Sequence, residues 1–376
     1  MTLLPALWSL TATAALGVFA TIGLLADQQA LAMLMTAILL GCALGSLRFA
    51  RIVQLVLVSL VPPSLAVPAV FAWVPDAELP ITASVALAAA AALGLAAGRP
   101  NFDQRARQPA LAALVRGLCI AVAAVAVGVL ASFSMAAALT VAAAAAVAWV
   151  IVLSTSPQPK RIRRDGLQPT ELLQTALVAA GTGGWAVLSL VIADQAGITD
   201  ELVETGTPAL PIAVAVAAAA AGAGLGAAAA LALLRQGIRL LPQLTLVIAL
   251  VGMALVMIAR PGGLAAFAAV GVLVAVFGLA AAVTIARTRP APEPAPATEH
   301  TPSDTAAIAR RLFASEAVLE RFAIPAVLAS AALGALIGGL LGSIVEVRDA
   351  LFVSLAAVAA AAVWIAVRRQ LAREVS

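Results

Sequence analysis

Charged residues are what this sequence has least of. They make up 11% of the 376 residues, while 63% are hydrophobic and the mean hydropathy is +1.09. A soluble domain carries about 25% charged residues, so this composition excludes a soluble protein. Apolar runs of 18 or more residues recur along the chain, and each is long enough to span the roughly 30 Å hydrocarbon core as a helix. Because the runs are continuous and not alternating, we expect an all-α integral membrane protein and not a β-barrel.

Residues that bind metals and cofactors are also scarce. Cys42 and Cys119 fall in different apolar runs, and the single histidine, His300, lies in a proline-rich segment. This excludes a cysteine cluster and argues against histidine-ligated haem or a multi-histidine metal site. Two thiols in apolar runs are typical of small core residues. We therefore predict neither a metal nor a cofactor.

The few charges are mostly basic, with a net charge of +4 and a pI near 10.3. Such a balance is compatible with nucleic-acid binding, but in a membrane protein basic loops are first a signal of topology. We therefore expect the lipid bilayer, and no nucleic acid, as a partner. Arginine outnumbers lysine 21 to 1, tyrosine is absent and alanine dominates. This bias indicates a GC-rich bacterial genome.

The apolar runs divide into twelve predicted spans. They are residues 4–25, 29–47, 52–73, 79–98, 110–131, 133–153, 171–193, 209–234, 239–259, 263–286, 322–345 and 349–367. The weakest boundary is at 131–133, where "ASFS" is the only interruption. No basic segment and no A-x-A cleavage site accompany the first run, so we expect a retained span and not a signal peptide.

Basic residues are distributed unevenly between the two sets of connections. Nineteen lie after the even-numbered spans and at the C-terminus, whereas only Arg260 and Arg348 follow odd-numbered spans. Acidic residues divide evenly, as expected if lysine and arginine set the orientation. The distribution predicts that both termini are cytoplasmic and that the protein is a multi-pass protein of the cell membrane. It also supports the count of twelve, because an error would scramble the alternation.

Two longer cytoplasmic connections indicate the domain organisation. Residues 154–170 form a linker between a six-span bundle at 1–153 and a second six-span bundle at 171–376. Residues 287–321 begin as a proline-rich, extended linker and continue as an amphipathic segment. That segment either lies on the membrane surface as a helix or extends span eleven, and the pattern leaves both open.

A basic turn occurs at the same place in each half. Arg48 and Arg51 follow span two, and Arg235 and Arg239 follow span eight, 187 or 188 residues later. Each pair is followed by a glutamine, Gln54 in the first half and Gln243 in the second. Parallel duplication predicts such a repeat. The alternative is that any cytoplasmic turn collects arginines.

The first of these turns resembles the signature loop of the major facilitator superfamily of transporters. In that family the loop between spans two and three reads approximately G-x-L-x-D-R-x-G-R-R, with a weaker copy between spans eight and nine. Gly45, Leu47, Arg48 and Arg51 match a shortened version of it.

The second turn is similar to the R-x-G-x-R portion of the same signature, through Arg235, Gly237 and Arg239. The signature aspartate is missing from both copies, and Leu234 takes its place in the second. In the family this acid pairs with basic groups and helps to latch one state of the transport cycle. The resemblance implies two six-helix bundles that rock about a central site, with gating at these two turns.

The resemblance also implies a substrate cavity lined by spans one, four, seven and ten. The polar residues that we expect to contact substrate are Trp8, Thr11, Gln174, Thr182 and Trp185. For any single threonine the alternative is a hydrogen bond between or within helices. Trp73, Trp149 and Trp364 lie nearer to span ends and are typical of interface anchors.

Ionisable groups inside a membrane are expensive and therefore functional candidates. No acidic residue falls at the centre of a predicted span, so proton or sodium coupling through a midplane carboxylate is not expected. Arg116 lies about 10 Å from the cytoplasmic start of span five, at 1.5 Å per residue. It either contacts an anionic substrate or lipid head group, or extends to the cytoplasmic interface.

The leading hypothesis is a secondary transporter of a hydrophobic or amphiphilic small molecule or lipid, with export as the direction. A second is a transport-inactive scaffold or accessory subunit that kept the fold and lost its latch acids. A third is a membrane enzyme that uses Asp200, Glu201 and Glu204, although a solvated acidic loop explains those residues better, and we predict no enzyme activity.

Overall fold

The fold was analysed in a computed structural model. It describes residues 3–26, 28–47, 49–74, 79–98, 109–155, 209–235 and 325–345, together with positions 180, 268, 271, 272, 350, 353, 356, 359, 360, 363, 364 and 367. All the regular secondary structure in these ranges is helical. The helices are α1 (Leu3–Ala26), α2 (Gln28–Gly45), α3 (Arg51–Val58), α4 (Val61–Trp73), α5 (Ile81–Ala97), α6 (Pro109–Phe133), α7 (Met135–Thr155), α8 (Ala209–Arg235) and α9 (Pro325–Ile344).

These helices coincide with the predicted spans to within a few residues. Four helical stretches are long and apolar enough to cross a membrane, namely Arg51–Trp73, Leu114–Phe133, Met135–Thr155 and Pro325–Ile344. Helices α1 to α7 cover spans one to six, while α8 and α9 are spans eight and eleven. The all-helical membrane architecture is therefore confirmed for the described residues, whereas the count of twelve and the side on which the termini lie stay predictions.

Span three is not one uninterrupted helix. Ser59 still donates to the carbonyl oxygen of Leu55, but Leu60 donates to Leu57, three residues back, and the regular ladder is interrupted there between α3 and α4. Pro62 and Pro63 follow directly and have no N–H to donate to the carbonyls one turn earlier. A proline is tolerated in the first turn of a helix, where those N–H groups have no intrahelical partner. The apolar pattern of 52–73 hid this break, although the two prolines were visible in it.

The boundary between α6 and α7 is a single residue, Ser134, close to the weak interruption found in the sequence. Its side-chain oxygen accepts a hydrogen bond from the backbone N–H of Ala137 at 3.1 Å. Serine is a favoured N-cap residue because it satisfies one of the free N–H groups of the first turn. Helix α7 therefore starts directly after α6, with Ser134 as its N-cap and no loop between the two helices.

The largest apolar core among the described residues joins α1, α2, α3, α4, α5, α6 and α7. Trp149 of α7 belongs to this core and is 0% exposed. The prediction that Trp149 is an interface anchor is therefore wrong, because the ring packs against Gly98 and Val58 in place of the lipid boundary. Trp73 and Trp364 are 64% and 50% exposed, as an anchor requires.

Glycine allows α2 and α5 to approach closely. A Cβ atom at Gly41 would collide with the carbonyl oxygen of Ala89, and one at Gly45 with that of Leu93. Residues four apart lie on one face of a helix, and a G-x-x-x-G pattern is typical of close helix pairs in membranes. Gly45, which the sequence assigned to the signature turn, is therefore also a packing residue.

Candidate gating turn, helix seams and substrate cavity

The first turn of α3 contacts the ends of two other helices. The Nη2 atom of Arg51 donates a hydrogen bond to the carbonyl oxygen of Leu153, in the last turn of α7, at 2.7 Å. The Nε2 atom of Gln54 donates to the carbonyl oxygen of Ala97, the last residue of α5, also at 2.7 Å. Gln54 is only 8% exposed. The basic turn of the first half therefore contacts helices of its own half.

Trp8 of α1 makes a third bond of the same kind. Its Nε1 atom donates to the carbonyl oxygen of Leu95, in the last turn of α5, at 3.0 Å. The start of α1 thus lies beside the end of α5, as does the start of α3. This arrangement agrees with spans that alternate in direction and puts all four helix ends on one side, which the positive-inside distribution predicts to be cytoplasmic.

A seam of small residues joins α6 to α8, which belong to different predicted halves. A Cβ atom at Gly117 would lie 2.6 Å from the carbonyl oxygen of Ala220 and 2.8 Å from the Cα atom of Gly224. Gly224 belongs to the run "GAGLG" at 222–226, and such small residues are typical of places where membrane helices approach closely. We call this contact the α6–α8 seam.

Towards the opposite ends of α6 and α8 the seam closes around a small apolar cavity. Its volume is about 20 Å³, enough for one water molecule and far below the 300–1,000 Å³ of a typical ligand pocket. Its only polar lining residue, Thr13, donates to the carbonyl oxygens of Ser9 and Leu10. The lining residues are Thr13, Gly17, Val18, Ala124, Val127, Gly128, Ala131, Met135, Ala213 and Val216. Among the described residues, this cavity is therefore too small to hold a ligand.

A second contact between the predicted halves joins α2 to α9. The hydroxyl of Thr36 donates to the carbonyl oxygen of Ala332 at 3.4 Å, close to the upper limit for a hydrogen bond. In α9, a Cβ atom at Gly334 would collide with the carbonyl oxygen of Ala180. Ala180 belongs to the second predicted half, so this close approach packs α9 against its own half.

Two further residues predicted to contact substrate lie in the described helices. Thr11 is 0% exposed, and its hydroxyl donates to the carbonyl oxygen of Leu7 in its own helix at 2.8 Å. Arg116 is half-buried in α6, next to Gly117 of the α6–α8 seam, and its Nε atom is buried. Arg116 is also the one charged residue of the described helices that is not in a first or last turn. Arg116 therefore lies one residue from the α6–α8 seam, whereas the hydroxyl of Thr11 is bonded within its own helix.

The other predicted site residues fall largely outside the described ranges. Arg235 is the last residue of α8. Outside the described residues lie Arg48, Gln174, Thr182, Trp185, Gly237 and Arg239. The roles predicted for them stay predictions.

Sequence reasoning missed two features of this region. It noted Gln54 only as part of the repeat, and no local signal indicated that the side chain caps α5. It also missed the Gly41–Gly45 pair, which the G-x-x-x-G spacing would have found.

Comparison with known proteins gives no sequence relative. No family model matches the chain, and no curated protein matches it in sequence. Solved structures, in contrast, match it in fold along nearly all of its length.

The nucleoside transporter NupG superposes with a TM-score of 0.58 at 10% identity, over 96% of this chain and 97% of that one. A partially occluded, inward-open form of the xylose transporter XylE from E. coli gives 0.56 at 11% identity, over 97% and 96%. The proton:xylose symporter XylE of the major facilitator superfamily, bound to 6-bromo-6-deoxy-D-glucose, gives 0.58 at 12% identity, over 97% and 94%.

The chain therefore has the fold of the transporters of the major facilitator superfamily. The resemblance seen in the two basic turns is confirmed at the level of the fold, which is that of an integral membrane protein.

Proposed function

We propose that this protein is a secondary transporter that works by alternating access and moves a hydrophobic or amphiphilic small molecule or lipid. The observation that carries the proposal is the likeness in fold to NupG and XylE over at least 96% of the chain. Those structures are named as a nucleoside transporter, a xylose transporter and a proton:xylose symporter. We further propose that the protein lies in a bacterial cell membrane, with both termini in the cytoplasm, and that it exports its substrate.

The contacts between the predicted halves support alternating access. The α6–α8 seam rests on glycine and alanine, and the α2–α9 contact includes one long hydrogen bond, from Thr36 to Ala332. Such contacts give close packing without strong directional bonds, so two rigid bundles can separate along them. In this proposal the signature turns, with Arg51 in the first half and Arg239 in the second, lie at the cytoplasmic ends of the moving bundles.

The substrate class is proposed from the chemistry of the helices. Within the described helices there is no aspartate, glutamate or histidine. Polar substrates such as sugars are held by hydrogen-bonding side chains, but the hydroxyls of Thr11 and Thr13 in α1 donate within their own helix. An apolar or amphiphilic molecule needs few such partners.

Arg116 is the residue proposed to recognise the charged end of an amphiphile. It lies next to the α6–α8 seam and carries the only charge within a described helix interior. A cation in this position attracts an anionic group, and the low dielectric of the membrane strengthens the attraction. We propose an anionic amphiphile as the preferred substrate.

The test is flux in proteoliposomes with four probes: an anionic fluorescent amphiphile, its zwitterionic counterpart, xylose and a nucleoside. We expect protein-dependent flux of the amphiphiles, with the anionic probe preferred. The Arg116→Gln variant should remove this preference, since a contribution of about 1.4 kcal/mol corresponds to a tenfold change in rate. Arg116→Lys is the matched control, because it keeps the charge.

Flux of xylose or the nucleoside without the amphiphiles would contradict the proposed substrate class. Absence of protein-dependent flux for all four probes would contradict the transporter itself and favour the transport-inactive scaffold. Equal flux of the anionic probe by wild type and Arg116→Gln would remove Arg116 from the site.

A further inference from the structure

We propose that the buried hydroxyl of Ser9 in α1 weakens the contact of α8 with α1 and α6, and so favours separation of the two bundles. Ser9 is 2% exposed, and its Oγ atom has no hydrogen-bond partner among the described residues. The hydroxyls of Thr11 and Thr13, in the same helix, donate to carbonyl oxygens one turn earlier. Burial without a partner therefore distinguishes Ser9 from these two neighbours.

Ser9 lies on the side of α1 that faces α6 and α8. Thr13 and Gly17, one and two turns further along, line the small cavity together with residues of those two helices. Residues four apart are neighbours on a helix surface, and the hydroxyl of Thr13 donates to the carbonyl oxygen of Ser9 at 2.8 Å. Ala14 and Phe19, which belong to the core of the first bundle, lie on other sides of α1. Ser9 is therefore buried where α8 of the second predicted half meets the first.

An unpaired hydroxyl makes contact between the halves less favourable at this place. A buried donor that has lost its water and gained no protein partner keeps its desolvation penalty. When α8 moves away from α1 and α6, water or a polar group of a substrate can bind the hydroxyl, and the penalty disappears. The close packing of Gly117 against Ala220 and Gly224 favours the contact. Ser9 therefore opposes this packing and brings the closed and open forms nearer in free energy.

The role of this bias in transport rests on the proposed function. A substrate shifts a conformational equilibrium only by its difference in affinity for the two forms. A closed form that is stabilised too strongly would therefore not open for a weakly bound amphiphile. The bias itself is a property of the chain without substrate, so it is measurable without any flux.

Ser84 of α5 offers the same chemistry in a different place. It is 0% exposed, and within the part of the chain that the structure describes its Oγ atom likewise has no hydrogen-bond partner. Ala88, Ala91 and Leu95 follow it at helical spacing and belong to the core of the first bundle. Ser84 is therefore unpaired inside one bundle, which makes Ser84→Ala the matched control for Ser9→Ala.

Alkylation of a single cysteine at position 17 measures how often the contact opens. The parent chain carries Gly17→Cys together with Cys42→Ala and Cys119→Ala. A Cβ atom at Gly17 meets no atom within 4 Å, so the fold accommodates the substitution. The cysteine lines the cavity between α1, α6 and α8, and a water-soluble maleimide reaches it when α8 moves away.

The measurement is the modification rate of the purified full chain in lipid nanodiscs without substrate. Ser9→Ala should slow modification roughly tenfold, because it removes the penalty of one unpaired hydroxyl from the closed form. Ser84→Ala should leave the rate at the parent value. Both substitutions should raise the unfolding temperature slightly, since each removes an unpaired buried hydroxyl.

Equal rates in Ser9→Ala and the parent would overturn the inference. Equal slowing by Ser84→Ala would also overturn it, because the effect would then come from general stabilisation and not from the contact between the halves. A parent cysteine that is never modified would overturn it as well, since a contact that does not open has no bias to relieve. Slowed modification in Ser9→Ala without flux of any probe would contradict the proposed function alone.

Discussion

The first turn of α3 and the α6–α8 seam hold helices together by different means. At the turn, charged and polar side chains bind helix-end carbonyls at 2.7 Å, above a fully buried tryptophan. At the seam, Gly117 faces the backbone of Ala220 and Gly224 and leaves no room for a side chain. Directional bonds resist separation, whereas close apolar contacts between helices compete with lipid of equal polarity. The comparison indicates a rigid end within one bundle and a separable contact between bundles.

The largest expected effect comes from removing the packing below the first turn of α3. Trp149→Ala should destabilise the protein by about 3–5 kcal/mol, because it leaves a large cavity in a fully buried core. The measurement is the unfolding temperature in detergent. Trp73→Ala is the control, since Trp73 is 64% exposed and should change the unfolding temperature much less. Equal effects of the two substitutions would show that Trp149 does not support the core.

A smaller effect is expected at the seam. Gly117→Val should cost about 1–3 kcal/mol, because overpacking forces α6 and α8 apart. In a variant with both native cysteines replaced by serine, cross-linking between cysteines placed at Ala131 and Ala213 should also decrease. The matched control is Gly17→Ala, because a Cβ atom at Gly17 meets no atom within 4 Å. That substitution should leave cross-linking unchanged and stabilise α1 slightly through helix propensity.

If Gly117→Val cross-links as efficiently as Gly17→Ala, α6 and α8 are not held in contact at Gly117. In that case the α6–α8 seam would not be the contact at which the two bundles separate.

The smallest effect is expected at the α2–α9 contact. Thr36→Val removes the long hydrogen bond to Ala332 and keeps the shape of the side chain. Interhelical hydrogen bonds in membrane proteins contribute about 0.6 kcal/mol on average, so the unfolding temperature should change by one or two degrees at most. A change as large as that of Gly117→Val would mean that a directional bond also holds the seams, and the contrast would disappear.

Much of the helical pattern was predictable from the sequence, because each apolar run must satisfy its backbone hydrogen bonds internally in lipid. Helices α1, α2, α5, α6, α7, α8 and α9 begin and end within a few residues of the predicted spans. The break between α3 and α4 was missed, because hydropathy does not register the N–H groups that Pro62 and Pro63 lack. The boundary between α6 and α7 lies at Ser134 because this residue caps the first turn of α7, which hydropathy alone does not indicate.

The candidate site was less predictable. The position of Trp149 near a span end indicated an interface anchor, yet its exposure depends on which helices surround α7. The repeat drew attention to Arg51 and to the glutamine that follows it, Gln54, but no spacing rule indicates that both side chains bind backbone carbonyls of other helices. The apolar composition that supports an amphiphilic substrate was readable directly, since it requires no knowledge of contacts.

By itself the sequence determined that this chain is helical, lies in a membrane and carries a basic turn in each half, because hydropathy and charge act residue by residue. Only the tertiary structure decided what the turn does. Arg51 binds a carbonyl 102 residues away, and Gly117 accepts a helix from the other predicted half. Such partners are set by how helices pack, which depends on shape over the whole bundle and not on any local run of residues.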